Sequence, residues 1–338
     1  MSRRAKKSPL ARAFGRAASS LTRAGLRAGR KVAEHAADTV KAIAAQSKPP
    51  AGPGDWIPGQ ANCAAGARRF FLFRPPTVSA RERLPLLVML HGCGQNAAGF
   101  ARSTRMNRIA VRERFLVLYP EQSRTANPQG CWEWYALDSG KALAEAAILM
   151  AAIDQVCLFY PVARDAVAVA GISAGAGMAA LLATRHPERF RAVAMHSGVP
   201  PGSAHSATSA IAAMSGHRLP ALPTRVDVRP PLLVIHGRLD RVVSVANARA
   251  AAEQWAAAGG AHEGDAREVV RGARHPMQIT DFRRGRDVLA RLTVIDRLGH
   301  AWSGGDGREH FSDPQGPDAS GMVWQFFASQ LRQRAARA

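Results

Sequence analysis

Residues 166–186 read AVAVAGISAGAGMAALLATRH, and three structural elements follow one another in them. Ala166–Ala170 is a short, wholly apolar run, the pattern of a strand buried on both faces of a parallel sheet. Gly171-Ile172-Ser173-Ala174-Gly175 is a G-x-S-x-G turn, and Ala174–His186 has the composition of a helix. Strand, sharp turn and helix around that motif make a nucleophile elbow. The turn strains Ser173, and small residues two positions either side let strand and helix approach closely. Ser173 Oγ then projects above the sheet, with the helix N-terminus placed to stabilise negative charge.

The same alternation extends in both directions. Strands are expected at Arg69–Arg74, Leu86–Leu90, Phe115–Tyr119, Ala192–Met195, Leu232–Ile235 and Leu292–Ile295, each short and mostly apolar. Helical stretches lie at Ala142–Tyr160, Ala246–Ala258 and from about Ala319 to Ala338. Alternating strands and helices predict a doubly wound, mostly parallel α/β sheet with helices on both faces. Residues 200–230, rich in Pro, Ser and Ala, read as an insertion over the top of that sheet. Residues 49–64 open with Pro49-Pro50-Ala51-Gly52-Pro53-Gly54 and read as a linker. They separate an extension over 1–48 from a catalytic domain over 65–338.

A nucleophilic serine needs a base and a group that orients the base. On a sheet of this kind the acid and then the histidine follow the serine, each past the end of a later strand. Leu232–Ile235 leads into His236-Gly237-Arg238-Leu239-Asp240, and Leu292–Ile295 leads towards Leu298-Gly299-His300. Asp240 and His300 are therefore the expected acid and base. Asp265 and Asp296 compete as acids, the first in a polar loop and the second close to His300 in sequence. His196 and His236 read as local hydrogen-bonding groups, and His91 as a support for the loop that follows Leu86–Leu90. That loop, His91-Gly92-Cys93-Gly94-Gln95, brings backbone amides towards Ser173. The N–H groups of Cys93 and Ala174 are the expected oxyanion donors.

Six segments together resemble one family. They are LLVMLHGCGQNAAGFA (86–101), LYPEQ (118–122), ANPQGCWEWY (126–135), GISAGAGM (171–178), HGRLD (236–240) and GHAWSGG (299–305). The chain is similar, over roughly residues 65–310, to polyhydroxybutyrate depolymerase-like esterases of the α/β-hydrolase superfamily, close to feruloyl and acetylxylan esterases. The resemblance implies Ser173 as nucleophile, Asp240 as orienting acid, His300 as base and the Cys93 and Ala174 amides as oxyanion donors. It also implies that Cys93 and Cys131 approach each other, as a disulfide or as two thiols; Cys63 and Cys157 read as unpaired. Trp132, Trp134 and Trp302 read as apolar walls for an acyl chain. Poly- or oligo(3-hydroxybutyrate) is the implied substrate, feruloyl or acetyl esters the alternative, with no metal or organic cofactor. Ser139–Ala147 (SGKALAEAA) departs from the family pattern.

Composition narrows the class further. The 338 residues carry 46 Lys plus Arg against 25 Asp plus Glu and are 47% apolar, which excludes general disorder. Four cysteines, none in a CxxC pair, do not make a disulfide scaffold or a structural zinc site. By the sequence, no stretch nears the roughly 20 consecutive apolar residues of a membrane span. Residues 1–48 hold twelve Lys/Arg against Glu34 and Asp38, nearly half of the chain's net +21. Arg12, Arg16, Arg23, Arg27, Arg30 and Lys41 share one helical face, and Leu10, Phe14, Ala17, Leu21, Ala28 and Val32 the other. A basic amphipathic helix of this kind suits an anionic membrane or a polymer granule; a solvated, disordered extension fits the same charges. Without interleaved aromatics the pattern argues against a nucleic-acid partner. A granule-binding protein with an inert hydrolase domain is the reading of another class, opposed by Ser173, Asp240 and His300 occurring together. The resemblance implies the extracellular region. Arg or Gly interrupts every candidate signal-peptide core, which leaves export, granule association and a cytoplasmic site open.

Overall fold

The computed structural model describes residues 49–335 apart from 225 and 226; the expected basic helix within 1–48 lies outside the described residues. The elements in chain order begin with β1 (Asp55–Cys63), β2 (Gly66–Arg74), β3 (Leu84–Leu90), α1 (Ala97–Thr104), α2 (Met106–Glu113) and β4 (Leu116–Pro120). Then come α3 (Lys141–Phe159), β5 (Val162–Ile172), α4 (Ala174–Arg185), β6 (Ala192–His196), α5 (Ala207–Met214), β7 (Leu232–Gly237) and α6 (Ala246–Gly259). The rest are β8 (His262–Glu263), β9 (Arg267–Val269), β10 (Met277–Arg284), β11 (Asp287–Ile295), β12 (Trp302–Ser303), β13 (Ser312–Asp313) and α7 (Ala319–Ala335). All seven expected strands and all four expected helices are present, with shifted ends.

One sheet runs in the order β1-β2-β4-β3-β5-β6-β7-β11-β10-β8, with β9 also on β10. From β4 to β11 the neighbours are parallel, and the pairs outside that block are antiparallel. The parallel strands are buried on both faces, which is why their sequences are continuously apolar. Leu232 and Val234 face one core layer, shared with α3, α4 and α6. Leu233 and Ile235 face the other, shared with α1, α2 and α7. Strand alternation thus assigns each residue to a layer.

Two expectations need correction. The linker expected over 49–64 is a strand along most of its length, because β1 pairs antiparallel with β2 from Asp55↔Arg74 to Cys63↔Gly66. Pro58 lies within β1, the outermost strand of the sheet, where a missing N–H is tolerated. Second, α3 is long and apolar enough to cross a membrane, with mean hydropathy 1.8 over its most apolar window. It lies instead against the sheet, with Ala146, Leu149, Ile153 and Val156 buried in the first core layer.

Candidate active site

The candidate residues collect at the carboxyl ends of β3, β5, β7 and β11. At the end of β5, Ser173 adopts φ 55° and ψ −122°, a conformation that costs a non-glycine residue about 1–3 kcal/mol. Its N–H donates to His196 O at 2.9 Å, and its carbonyl accepts from Ala176 and Gly177 N–H at 3.0 and 3.1 Å. The flanking glycines are required by contact. A Cβ on Gly171 would lie 2.4 Å from the Gly175 carbonyl carbon, and one on Gly175 would lie 2.2 Å from Leu90 O. The G-x-S-x-G spacing thus reflects three backbones meeting in one place.

The loops after β7 and β11 are joined by backbone hydrogen bonds, Arg238 N–H to Ile295 O at 2.9 Å and Leu239 N–H to Leu298 O at 3.0 Å. That pairing brings His300 Nδ1 to Asp240 Oδ2 at 2.7 Å. Asp240 Oδ1 accepts from the Val242 and Val243 amides at 2.9 and 2.8 Å. Burial alone would raise the Asp240 pKa, but hydrogen bonds from His236, His300 and the Val243 amide outweigh it and hold the carboxyl well below the usual range. An ionised Asp240 fixes the proton of His300 on Nδ1 and leaves Nε2 as the basic nitrogen. Among the described residues no hydrogen bond joins Ser173 Oγ to His300; such bonds often tighten only around substrate. Of the competing acids, Asp296 is paired with Arg238 at 2.6 Å and Asp265 is exposed.

Two amides stand by Ser173. Gly92 N–H donates to Gln95 Oε1 and Gly94 N–H to Gln129 O, both at 2.9 Å, with the Cys93 N–H between them. Ala174 is the first residue of α4, and a helix supplies no acceptor to its first N–H groups. Cys93 and Cys131 are joined as a disulfide, while Cys63 is free and exposed and Cys157 free and buried. The bridge spans 38 residues, and by chain-entropy reasoning a loop of that size stabilises the fold by about 3–4 kcal/mol. Reduction, or Cys131→Ser, is expected to lower the thermal unfolding midpoint by several degrees. An unchanged midpoint under full reduction would contradict this.

The remaining histidines here support the loops. His91 donates from Nδ1 to Gly92 O at 2.8 Å and accepts the Gln122 amide on Nε2 at 3.1 Å. His196 stacks on Trp302 at 4.9 Å and accepts the Ser303 amide on Nε2 at 3.2 Å. Burial lowers their pKa to about 4 and about 3, respectively. In the unfolded chain both would titrate near 6.5, so the folded state is the one that refuses the proton. Their stabilisation is complete above about pH 6.5 and is lost as pH falls towards 4 and 3. The slope is about 1.4 kcal/mol per pH unit for each histidine. Urea unfolding at pH 7 and pH 5 should show this loss, and His91→Gln should reduce the slope; a flat profile would contradict the assignment.

A cavity of about 330 Å³ opens beside Ser173, walled by Trp132, Trp134, Tyr135, Ile211, Met214 and Val243. Ile211 and Met214 belong to α5, so the 200–230 insertion forms one wall. Trp132 and Trp134 both line this cavity. Trp302 does not line the cavity: it is 1% exposed in the opposite core layer, edge-on to Phe100, with Nε1 donating to Ser320 Oγ at 3.0 Å. Its layer is set by local pairing of β12 with β13, which the motif around it does not reveal. Sequence reading missed Glu145, in the segment that departs from the family pattern. Its buried carboxylate accepts from Arg68 and from Gln122 Nε2, and its other oxygen from Glu133 N–H at 2.8 Å. Gln122 also donates to Cys131 O at 2.9 Å, so this network fixes the loop carrying Trp132 and Trp134. Glu145, directly after the apolar Ala142-Leu143-Ala144 at the start of a mostly apolar helix, was the available signal.

A parallel sheet with a strained serine elbow, followed by an acid and a histidine on later strand ends, defines the α/β-hydrolase class. A solved acetyl xylan esterase from Aspergillus awamori shares this fold at TM-score 0.55 and 18% identity, over 69% of this chain and 89% of that one. The family model described as Esterase PHB depolymerase matches residues 69–274, and the chain belongs to that family. It is 30% identical over 183 residues to poly(3-hydroxyalkanoate) depolymerase C of Paucimonas lemoignei, 51% of this chain and 44% of the relative. It is 27% identical over 206 residues to feruloyl esterase B of Neurospora crassa, 55% of this chain and 68% of the relative. The chain thus spans roughly half the length of the curated depolymerase it matches. His300 lies beyond the family-matched residues.

Proposed function

We propose that the protein is a serine carboxylic ester hydrolase with Ser173 as nucleophile, His300 as base and Asp240 as orienting acid. The observation that carries this reading is the 2.7 Å hydrogen bond from His300 Nδ1 to the buried, ionised Asp240, in a chain whose only G-x-S-x-G serine is strained at the end of β5. His300 Nε2 takes the Ser173 proton as Oγ attacks the ester carbonyl. The Cys93 and Ala174 amides receive the oxyanion, each worth about 2.7–4 kcal/mol in comparable hydrolases. His300 then protonates the leaving alcohol, and an activated water releases the acid from Ser173.

The apolar cavity beside Ser173 supports an aliphatic or aromatic acyl group. Family membership favours poly- or oligo(3-hydroxybutyrate). The feruloyl reading is favoured separately by the greater share of the Neurospora relative that the chain matches. A p-nitrophenyl acyl series beside an amorphous polyhydroxybutyrate suspension separates them. Clearing of the suspension supports a depolymerase, whereas turnover of soluble feruloyl or acetyl esters without clearing supports the second reading. The basic extension over 1–48 is the proposed docking element for a granule or anionic surface. Deleting residues 1–48 should reduce co-sedimentation with polymer granules several-fold, as the loss of ten net positive charges at the surface would require; unchanged partitioning contradicts it.

A further inference from the structure

A second cavity, of about 400 Å³, lies on the opposite face of the sheet from Ser173, between α7 and β9, β10 and β11. A helix covering a sheet should meet it with apolar side chains, and at Met322 and Phe326 α7 does. One turn further on, its cavity-lining residues become Ser329, Gln330 and Gln333. The sheet changes character at the same place. Arg291 and Thr293 stand opposite Leu233 and Ile235 of β7, whose side chains face the α7 layer, so β11 presents a cation and a hydroxyl where a core should continue. Thr293 is 1% exposed, and its Oγ1 has no hydrogen-bond partner among the described residues.

Charge makes the cavity specific. Arg267, Arg271, Arg283, Arg286 and Arg291 line it. Asp281 pairs with Arg291 and Arg283 and lies 3.9 Å from Arg267. The lining holds five guanidiniums and no Asp or Glu, a wall that a single carboxylate ligand would not balance. Guanidinium forks, amides and a hydroxyl together form a donor-rich wall suited to phosphate oxygens, and Val269, Ile279 and Phe326 offer an apolar surface to an organic part. We propose that this cleft binds an organic di- or triphosphate, with its phosphates on the arginines and Thr293 and its organic moiety against the apolar floor.

Calorimetric titration of the full chain with ADP, pyrophosphate and 3-hydroxybutyrate at 0.15 M salt tests this. The expected result is binding of ADP and pyrophosphate with Kd on the order of 10 µM, ADP the tighter, and no binding of the monocarboxylate. The Arg271→Glu/Arg286→Glu variant changes only exposed side chains and should weaken both at least about tenfold. Thr293→Val should weaken ADP binding. A merely structural Thr293 would instead give a more stable protein with unaltered affinity, because the substitution removes an unsatisfied buried hydroxyl. Ser173→Ala should bind ADP as well as the parent does, which separates this site from the esterase reading. Absence of binding at millimolar ligand, binding indifferent to the arginine reversal, or binding lost with Ser173→Ala would each overturn the proposal.

Discussion

Ser173→Ala is expected to reduce hydrolysis of p-nitrophenyl butyrate by about 10⁴- to 10⁶-fold in kcat, with the fold unchanged. The range follows from the role assigned to Oγ. Without it no acyl-enzyme forms, and what remains is the contribution of the oxyanion amides and the binding cavity. The variant should fold, because the structure does not depend on the hydroxyl: the turn is held through the Ser173 backbone, by His196 O and by the amides of Ala176 and Gly177. Alanine is also small enough for the φ of 55°. Circular dichroism should therefore match the parent while clearing of polymer or release of p-nitrophenol falls to background. Residual activity above about one per cent of the parent would mean that another group attacks the ester.

Asp240→Asn is expected to lower kcat by about 10⁴-fold, the loss seen when a triad acid becomes an amide in other serine hydrolases. The physical reason is the proton on His300. Asp240 Oδ2 accepts from His300 Nδ1 at 2.7 Å while Oδ1 accepts the amides of Val242 and Val243. An asparagine would turn its oxygen to those two amides and present its NH₂ to His300. The imidazole would then carry its proton on Nε2, the atom that should receive the Ser173 proton. The buried negative charge that stabilises the imidazolium would be lost as well. A loss smaller than about tenfold would indicate that another acid, such as Asp296, orients the base.

Much of this arrangement was legible in the sequence because the site sits at the ends of strands buried on both faces. A run such as Leu232–Ile235 has few structural readings, and the loop beyond it must lie at the sheet's rim; that made Asp240 and His300 the expected pair, and the structure sets them 2.7 Å apart. Edge elements were harder to see. The Pro58-Gly59 pair in β1 looks like a linker until β2 is known to lie beside it, and Met277–Arg284 mixes polar and apolar residues because β10 lies outside the parallel block. Short helices such as α1 and α5 depend on caps, from Asn96 and Ser206, more than on periodicity. Trp302 shows the limit of motif reading. His300 meets Asp240 at 2.7 Å, yet two residues further along the chain the Trp302 side chain lies in the other core layer.

The measurement that tests the central claim most directly is trapping of the acyl-enzyme. The protein is mixed with excess p-nitrophenyl butyrate, quenched in acid within the first turnover and digested for mass spectrometry. One butyryl group per chain is predicted, on the peptide containing Gly171-Ile172-Ser173 and localised to Ser173. It should be absent from Ser173→Ala and strongly reduced in His300→Ala. An acyl group on another residue, or brisk hydrolysis with no covalent adduct at any quench time, would contradict the account.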